Sequence, residues 1–260
     1  MGGVTAGLLV LVATVWGVLA GTLLPRAVYR FTVPSGAPWR DRCPDGHPVR
    51  GWLGGAGCGD CASGATHTGA DPQPGAPSAS YAPSGVLLAT VTALVCAALA
   101  GATGTRPELA VWLLLAPVGV LLAAVDFRVQ RLPDPLTLPL AAGALALLGL
   151  TALLPEHAGH WRTALYGALA LGAGYYVLYR INPGGMGFGD VKLAVGTGAV
   201  LGWYGWPTVL LGTFAAFLLG ALYGGALVLA RRADRKAAVP FGPFLLAGTL
   251  TGLLIGAYTA

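Results

Sequence analysis

The chain has 260 residues, of which 55% are apolar and 10% are charged, and its mean hydropathy is +0.71. Soluble domains carry about 25% charged residues, so this composition excludes a water-soluble globule or a disordered chain and marks a membrane protein. The excess of 15 Lys and Arg over 10 Asp and Glu is a topology signal before it is a nucleic-acid signal, and no nucleic-acid partner is expected.

Apolar runs of about 17 to 25 residues cross a hydrocarbon layer about 30 Å thick as helices. Eight such runs occur, near residues 4–24, 86–104, 109–125, 136–154, 163–179, 191–204, 207–230 and 241–259. The sixth is short and rich in glycine. The expected fold is therefore all-α, a polytopic bundle of about eight transmembrane helices. The first helix takes residues 1–25, a loop follows over 26–61, a flexible linker over 62–85, and the main helix bundle over 86–260. Residues 62–85 lack the apolar content that offsets ordering entropy.

No Lys or Arg precedes the first run, and Arg26 and Arg30 follow it, the reverse of a cleavable secretory signal. The run is expected to remain attached with its N-terminus outside. Eight crossings then gather Arg26, Arg30, Arg40, Arg42, Arg50, Arg128, Arg131, Arg180, Lys192, Arg231, Arg232, Arg235 and Lys236 on one side, leaving Arg106 and Arg162 on the other. That asymmetry makes the first side cytoplasmic and leaves both termini outside. Orientation and lipid headgroups account for nearly all of these bases. Small residues recur at spacing four in Gly198/Gly202, Gly220/Gly224 and Gly248/Gly252/Gly256, a pattern that lets helices approach closely.

Asp126 and Asp190 each sit at the cytoplasmic end of an apolar run, and ionisable groups at that depth are costly and functional more often than elsewhere. Asp126 closes the third run, in Ala-Ala-Val-Asp-Phe-Arg-Val-Gln-Arg-Leu-Pro-Asp-Pro; Asp190 opens the sixth, in Gly-Gly-Met-Gly-Phe-Gly-Asp-Val-Lys-Leu. Topology delivers both to one face. Two carboxyls within a few ångströms share a proton, one acting as base toward water and the other as acid toward a carbonyl or leaving amine. Capping and proton relay are the competing readings. The glycines before Asp190 suit a backbone that approaches an extended substrate closely or takes positive φ. Lys192 would face away from Asp190 and reads as a topology charge. Asp134, between Pro133 and Pro135, reads equally as a helix cap or a site residue.

Asp126 with Leu132-Pro133-Asp134, followed by Gly187-Phe188-Gly189-Asp190-Val191-Lys192, closely resembles the bacterial type IV prepilin peptidases. Their pattern is an aspartate, then hydrophobic-Pro-Asp, and later Gly-x-Gly-Asp-x-Lys. The resemblance implies that Asp126 and Asp190 are a catalytic pair, with Gly187, Gly189, Asp134 and Lys192 as candidate substrate-binding positions. It further implies a membrane aspartic endopeptidase of the bacterial cytoplasmic membrane that cleaves prepilins or pseudopilins after a glycine at the cytoplasmic face.

Cys43, His47, Cys58 and Cys61 fall as C-x3-H-x10-C-x2-C in the loop, a donor set suited to tetrahedral zinc that would fold a segment with little apolar core. Disulfides are not expected in a reducing compartment, and a stray loop histidine is the competing reading of His47. Cys96 reads as a small buried apolar residue. Larger members of the resembled family carry two Cys-x-x-Cys pairs here, and many also methylate the new N-terminus with S-adenosylmethionine. The stretch Gly21-Thr22-Leu23-Leu24-Pro25-Arg26-Ala27-Val28-Tyr29-Arg30 looks like their Gly-Ser-Phe-Leu-Asn-Val-Val-Ile-x-Arg segment but has Pro25 in place of asparagine, and one cysteine of the first pair is missing. Methyl transfer is thus only weakly implied. Two other readings stand beside the peptidase: a proton-coupled transporter using the same aspartates, against which no internal repeat is found, and a non-catalytic scaffold whose metal loop binds a partner.

Overall fold

The computed structural model describes residues 2–34, 36–55, 57–62, 83–230 and 240–260. The described residues form nine helices: α1 (Gly2–Phe31), α2 (Gly59–Ala62), α3 (Gly85–Thr103), α4 (Glu108–Val129), α5 (Asp134–Thr151), α6 (Trp161–Ile181), α7 (Phe188–Gly202), α8 (Trp206–Leu229) and α9 (Gly242–Thr259). Each of the eight apolar runs is a helix, and α2 is a single turn in the loop. Most of the expected 62–85 linker, and Arg231, Arg232, Arg235 and Lys236, lie outside the described residues.

Six helices, α1, α3, α4, α5, α8 and α9, are long and apolar enough to cross a bilayer. The other two depart from the simple count for different reasons. The tyrosines of α6 and its terminal Arg162 and Arg180 lower its apolarity. At 15 residues, α7 reaches only about 22 Å. It sits among α5, α6 and α9 with Leu193, Ala194, Ala199 and Leu201 fully buried, so protein rather than lipid surrounds most of it.

The first helix runs past the expected end at residue 25 to Phe31, although Pro25 lies inside it. Proline lacks an N–H and normally kinks or ends a helix. Here the loop repairs the break: the Gly54 N–H donates to the Leu23 carbonyl at 2.8 Å, and the Gly54 carbonyl accepts from the Arg26 N–H at 3.0 Å. Gly54 adopts φ +130° to do so, a conformation that L side chains avoid.

Close packing follows the small residues. Side-chain carbons added at Gly17 and Gly21 of α1 would lie 2.6 and 2.5 Å from the Cα atoms of Ala93 and Ala89 on α3, so these backbones touch. Gly198 and Gly202 meet Gly167 and Ala164 of α6, and Gly248 and Gly252 meet Gly212 of α8. The pairs at 198/202 and 248/252 therefore make the close contacts their spacing suggests. Gly220 instead faces the rings of Phe241 and Phe244. At the end of α4 opposite Asp126, Glu108 is fully buried; its Oε1 accepts from Tyr204 Oη at 3.2 Å and from the Ala158 N–H at 3.3 Å.

Candidate active site

Asp126 lies in the last turn of α4 and Asp190 in the first turn of α7; they are 4% and 6% exposed. The α4 ladder ends at Gln130, which takes a left-handed φ of 50°. The chain then passes through Leu132 and Pro133 into α5. Asp126 Oδ2 accepts from the Gly242 N–H at the start of α9 at 3.0 Å. Asp190 Oδ2 accepts from the Gly187 N–H at 3.1 Å, an acid three residues into a helix reaching back to its cap. Asp190 is therefore a cap through one oxygen, while its Oδ1 is buried without a hydrogen-bond partner.

Leu132 ties the two halves together. A side-chain carbon at Gly242 would lie 2.7 Å from Asp126 Oδ2 and 3.4 Å from Leu132 Cδ1, and one at Gly189 would lie 2.8 Å from Leu132 Cβ. Three chain segments thus meet at one leucine, bringing Asp190 within electrostatic reach of Asp126. This neighbourhood also explains the glycines. Gly189 is small because Leu132 occupies its side-chain space, and Gly187 has φ −75°, so positive φ is not its reason.

Lys192 does not stand free as a topology charge: its Nζ pairs with Asp134 Oδ1 at 2.6 Å and lies 5.0 Å from the centre of the Phe188 ring. Asp134 is the first residue of α5 and makes no capping bond, the cap being Pro133. Its charge nevertheless suits the positive end of α5. The pair fastens α7 to α5 at the rim, with Asp134 largely exposed.

Sequence reasoning passed over two residues here. One is Gly242. The other is Tyr175 of α6, 2% exposed, whose ring centre is 5.8 Å from Phe217 and 6.0 Å from Phe241. The Gly-Pro pair opening the last run was a signal for the first; nothing local marked the second. Beside the site, α3, α4 and α9 line an apolar cleft of about 550 Å³ that includes Leu88, Leu99, Val120, Leu246 and Leu253 and ends at Phe127 and Arg128, next to Asp126.

In the loop, Cys43 and His47 face each other across a tight turn closed by the Cys43 N–H donating to the His47 carbonyl at 2.9 Å, with Gly46 at φ +86°. Sγ of Cys43 is 3.6 Å from Nδ1 of His47 and 3.6 Å from Sγ of Cys61; Nδ1 of His47 is 3.3 Å from Sγ of Cys61. Donor atoms of all four residues, Cys58 included, lie within 4.8 Å of one another. Ligands about 2.0–2.3 Å from a tetrahedral ion are separated by roughly 3.3–3.8 Å, so the cluster can hold a metal. No cysteine is in a disulfide. The Cys61 backbone N–H holds the Cys58 thiol below its ordinary pKa, and the carboxylate of Asp45 pushes that of Cys61 up. The loop leans on the bundle: Arg30 lies 4.0 Å over the Trp52 ring, and Arg131, just before Leu132, donates to the Pro34 carbonyl at 2.9 Å.

Residues 112–225 match the sequence profile of the type IV leader peptidase family. The prepilin leader peptidase/N-methyltransferase of Aeromonas salmonicida strain A449 is 36% identical over 187 residues, which cover 69% of this chain and 59% of that protein. The protein of the same name from Escherichia coli strain K12 is 34% identical over 143 residues, covering 51% of this chain and 57% of that one. Leader peptidase HopD of Salmonella typhimurium strain LT2 is 36% identical over 144 residues, or 53% of this chain, and these cover 88% of HopD. The chain belongs to the type IV leader peptidase family. It spans 59% of the length of the Aeromonas relative. No solved structure matches it. The stretch matching the leader peptidase profile contains Asp126, Asp134, Tyr175, Asp190 and Lys192, and excludes the cysteine loop and Gly242.

Proposed function

We propose that this protein is an aspartic endopeptidase of the bacterial cytoplasmic membrane that removes the leaders of type IV prepilins or pseudopilins after a glycine, with Asp126 and Asp190 as the catalytic pair. The observation that carries this reading is the convergence of two buried aspartates from separate helices at one end of the bundle, within the stretch that matches the leader peptidases. One carboxylate takes a proton from water as the water oxygen attacks the scissile carbonyl carbon. The other carboxyl, protonated, hydrogen-bonds the carbonyl oxygen. The leaving nitrogen then receives a proton as the C–N bond breaks, and the pair again shares one proton. Arg26, Arg30, Arg128, Arg131 and Arg180 lie toward the same end, and the positive-inside bias supports a site on the cytoplasmic face. A basic leader would lie there, and the substrate's apolar helix would lie along the cleft that ends at Phe127 and Arg128. Gly187, Gly189, Asp134 and Lys192 border the entry. Neither the transporter nor the scaffold reading draws support from the fold or the relatives.

The test is co-expression with a prepilin followed by mass spectrometry of the product. A new N-terminus immediately after the leader glycine is expected; a leader left intact, or cut elsewhere, removes the proposal. The same spectrum shows whether the new N-terminus carries a methyl group, the second activity named for the Aeromonas and E. coli relatives.

Structural zinc at Cys43, His47, Cys58 and Cys61 is the second part of the proposal, supported by the spacing of the donor atoms. The purified protein is expected to hold one zinc per chain by elemental analysis. Cys61→Ser is expected to lose the metal and to open residues 40–58 to added protease while the helices stay intact. A metal-free native protein with an equally resistant loop would end this assignment.

A further inference from the structure

Helices α6 and α7 pack antiparallel in a register fixed at several points. Gly172 faces Val195, whose Cγ2 would lie 2.8 Å from a side-chain carbon there, and the rings of Tyr179 and Phe188 are 5.4 Å apart. That register places Tyr175, one helical turn before Tyr179, within about half a turn of the level of Asp190, in the first turn of α7. The two side chains interact electrostatically. Tyr175 Oη and Asp190 Oδ1 are both buried and both without a hydrogen-bond partner. Two such atoms on neighbouring faces of α6 and α7 are unusual, because a buried polar atom left unpaired is costly and native structures keep few of them. Functional sites are among the places where such groups persist, waiting for water or substrate. The Tyr175 ring is held by Phe217 and by Phe241, the neighbour of the Gly242 that donates to Asp126. The ring is thereby held beside the residue that precedes Gly242.

Resting on the peptidase reading, we propose that Tyr175 is a positioning residue of the active site, its O–H donating to Asp190 Oδ1 through one bridging water molecule. The bond orients the second oxygen of Asp190, the first being engaged by Gly187, so that the carboxyl faces the reacting peptide in one fixed rotamer.

Tyr175→Phe keeps the ring and its stacking and removes only the hydroxyl. With a prepilin carrying a basic leader as substrate, kcat is expected to fall about 10- to 100-fold, the worth of a hydrogen bond to a charged group. KM should stay within about twofold. A role confined to packing predicts the opposite, since removing an unpaired buried hydroxyl leaves stability equal or higher: Tyr175→Phe would be fully active and only Tyr175→Leu impaired. That result would overturn the proposal, as would failure of Tyr175→Phe to fold, which would make the hydroxyl a structural anchor. Asp190→Asn assayed in parallel separates the two layers. If it still cleaves, the assignment of Asp190 to the catalytic pair fails and the tyrosine's role with it; if it is inactive while Tyr175→Phe is unimpaired, only the tyrosine's role fails.

Discussion

Asp126→Asn and Asp190→Asn are each expected to leave a folded, inserted protein that no longer processes prepilin, with cleavage reduced at least about 10³-fold. Asparagine matches aspartate in shape, and its amide oxygen can still accept from the Gly242 N–H in one case and the Gly187 N–H in the other. The local scaffold should therefore survive, while the ability to give and take a proton does not. Because one ionised and one protonated carboxyl are needed together, the wild-type rate should follow a bell-shaped pH profile. Asp134→Asn is the informative control. Its carboxylate makes an exposed ion pair with Lys192, and such pairs contribute about 0–1 kcal/mol, so stability should change little. Undiminished processing by both single asparagine variants would falsify the catalytic assignment.

Gly242→Ala is expected to cost about 10- to 100-fold in kcat although it adds one methyl group at a position distant in sequence from both motifs. That carbon would lie 3.2 Å from Asp126 Cγ and 2.7 Å from its Oδ2, the latter closer than side-chain carbons are found, and the same oxygen accepts from the Gly242 N–H. Either the carboxyl rotates away or the start of α9 withdraws. Misplacing a reacting group by about 1 Å can cost about 10²-fold. Gly101→Ala supplies the comparison, since nothing lies within 4 Å of the added carbon there and alanine favours a helix over glycine. Normal kcat for Gly242→Ala in a detergent-solubilised assay would show that this contact does not set the position of Asp126.

Much of the helical layout could be read from the residues because a bilayer imposes a length and an apolar composition on anything that crosses it. The sites of greatest disagreement are those where protein replaces lipid or where a distant segment intervenes. The length of α1 depends on Gly54, nearly thirty residues downstream of the proline it compensates. The place of α7 depends on burial by the helices around it rather than on its own length. Asp126 and Asp190 were legible because acids are rare at membrane depth. The Lys192–Asp134 pair was not, because its partners are 58 residues apart and helical periodicity alone aimed Lys192 elsewhere. Tyr175 was hidden for a related reason: a tyrosine among several on α6 acquires meaning only once the register against α7 is known. Gly17 and Gly21 carry the same spacing-four signal as the glycine pairs of the later helices, and their contact with α3 could have been anticipated.

Leu132 touches the space of Gly189 on one side and of Gly242 on the other, so a single leucine gauges the gap between the parts that present the two acids. The three positions are consequently not independent variables for protein engineering. A bulkier residue at 189 or 242 is best introduced together with a trimmed side chain at 132, and a graft of this centre onto another helical scaffold has to carry all three.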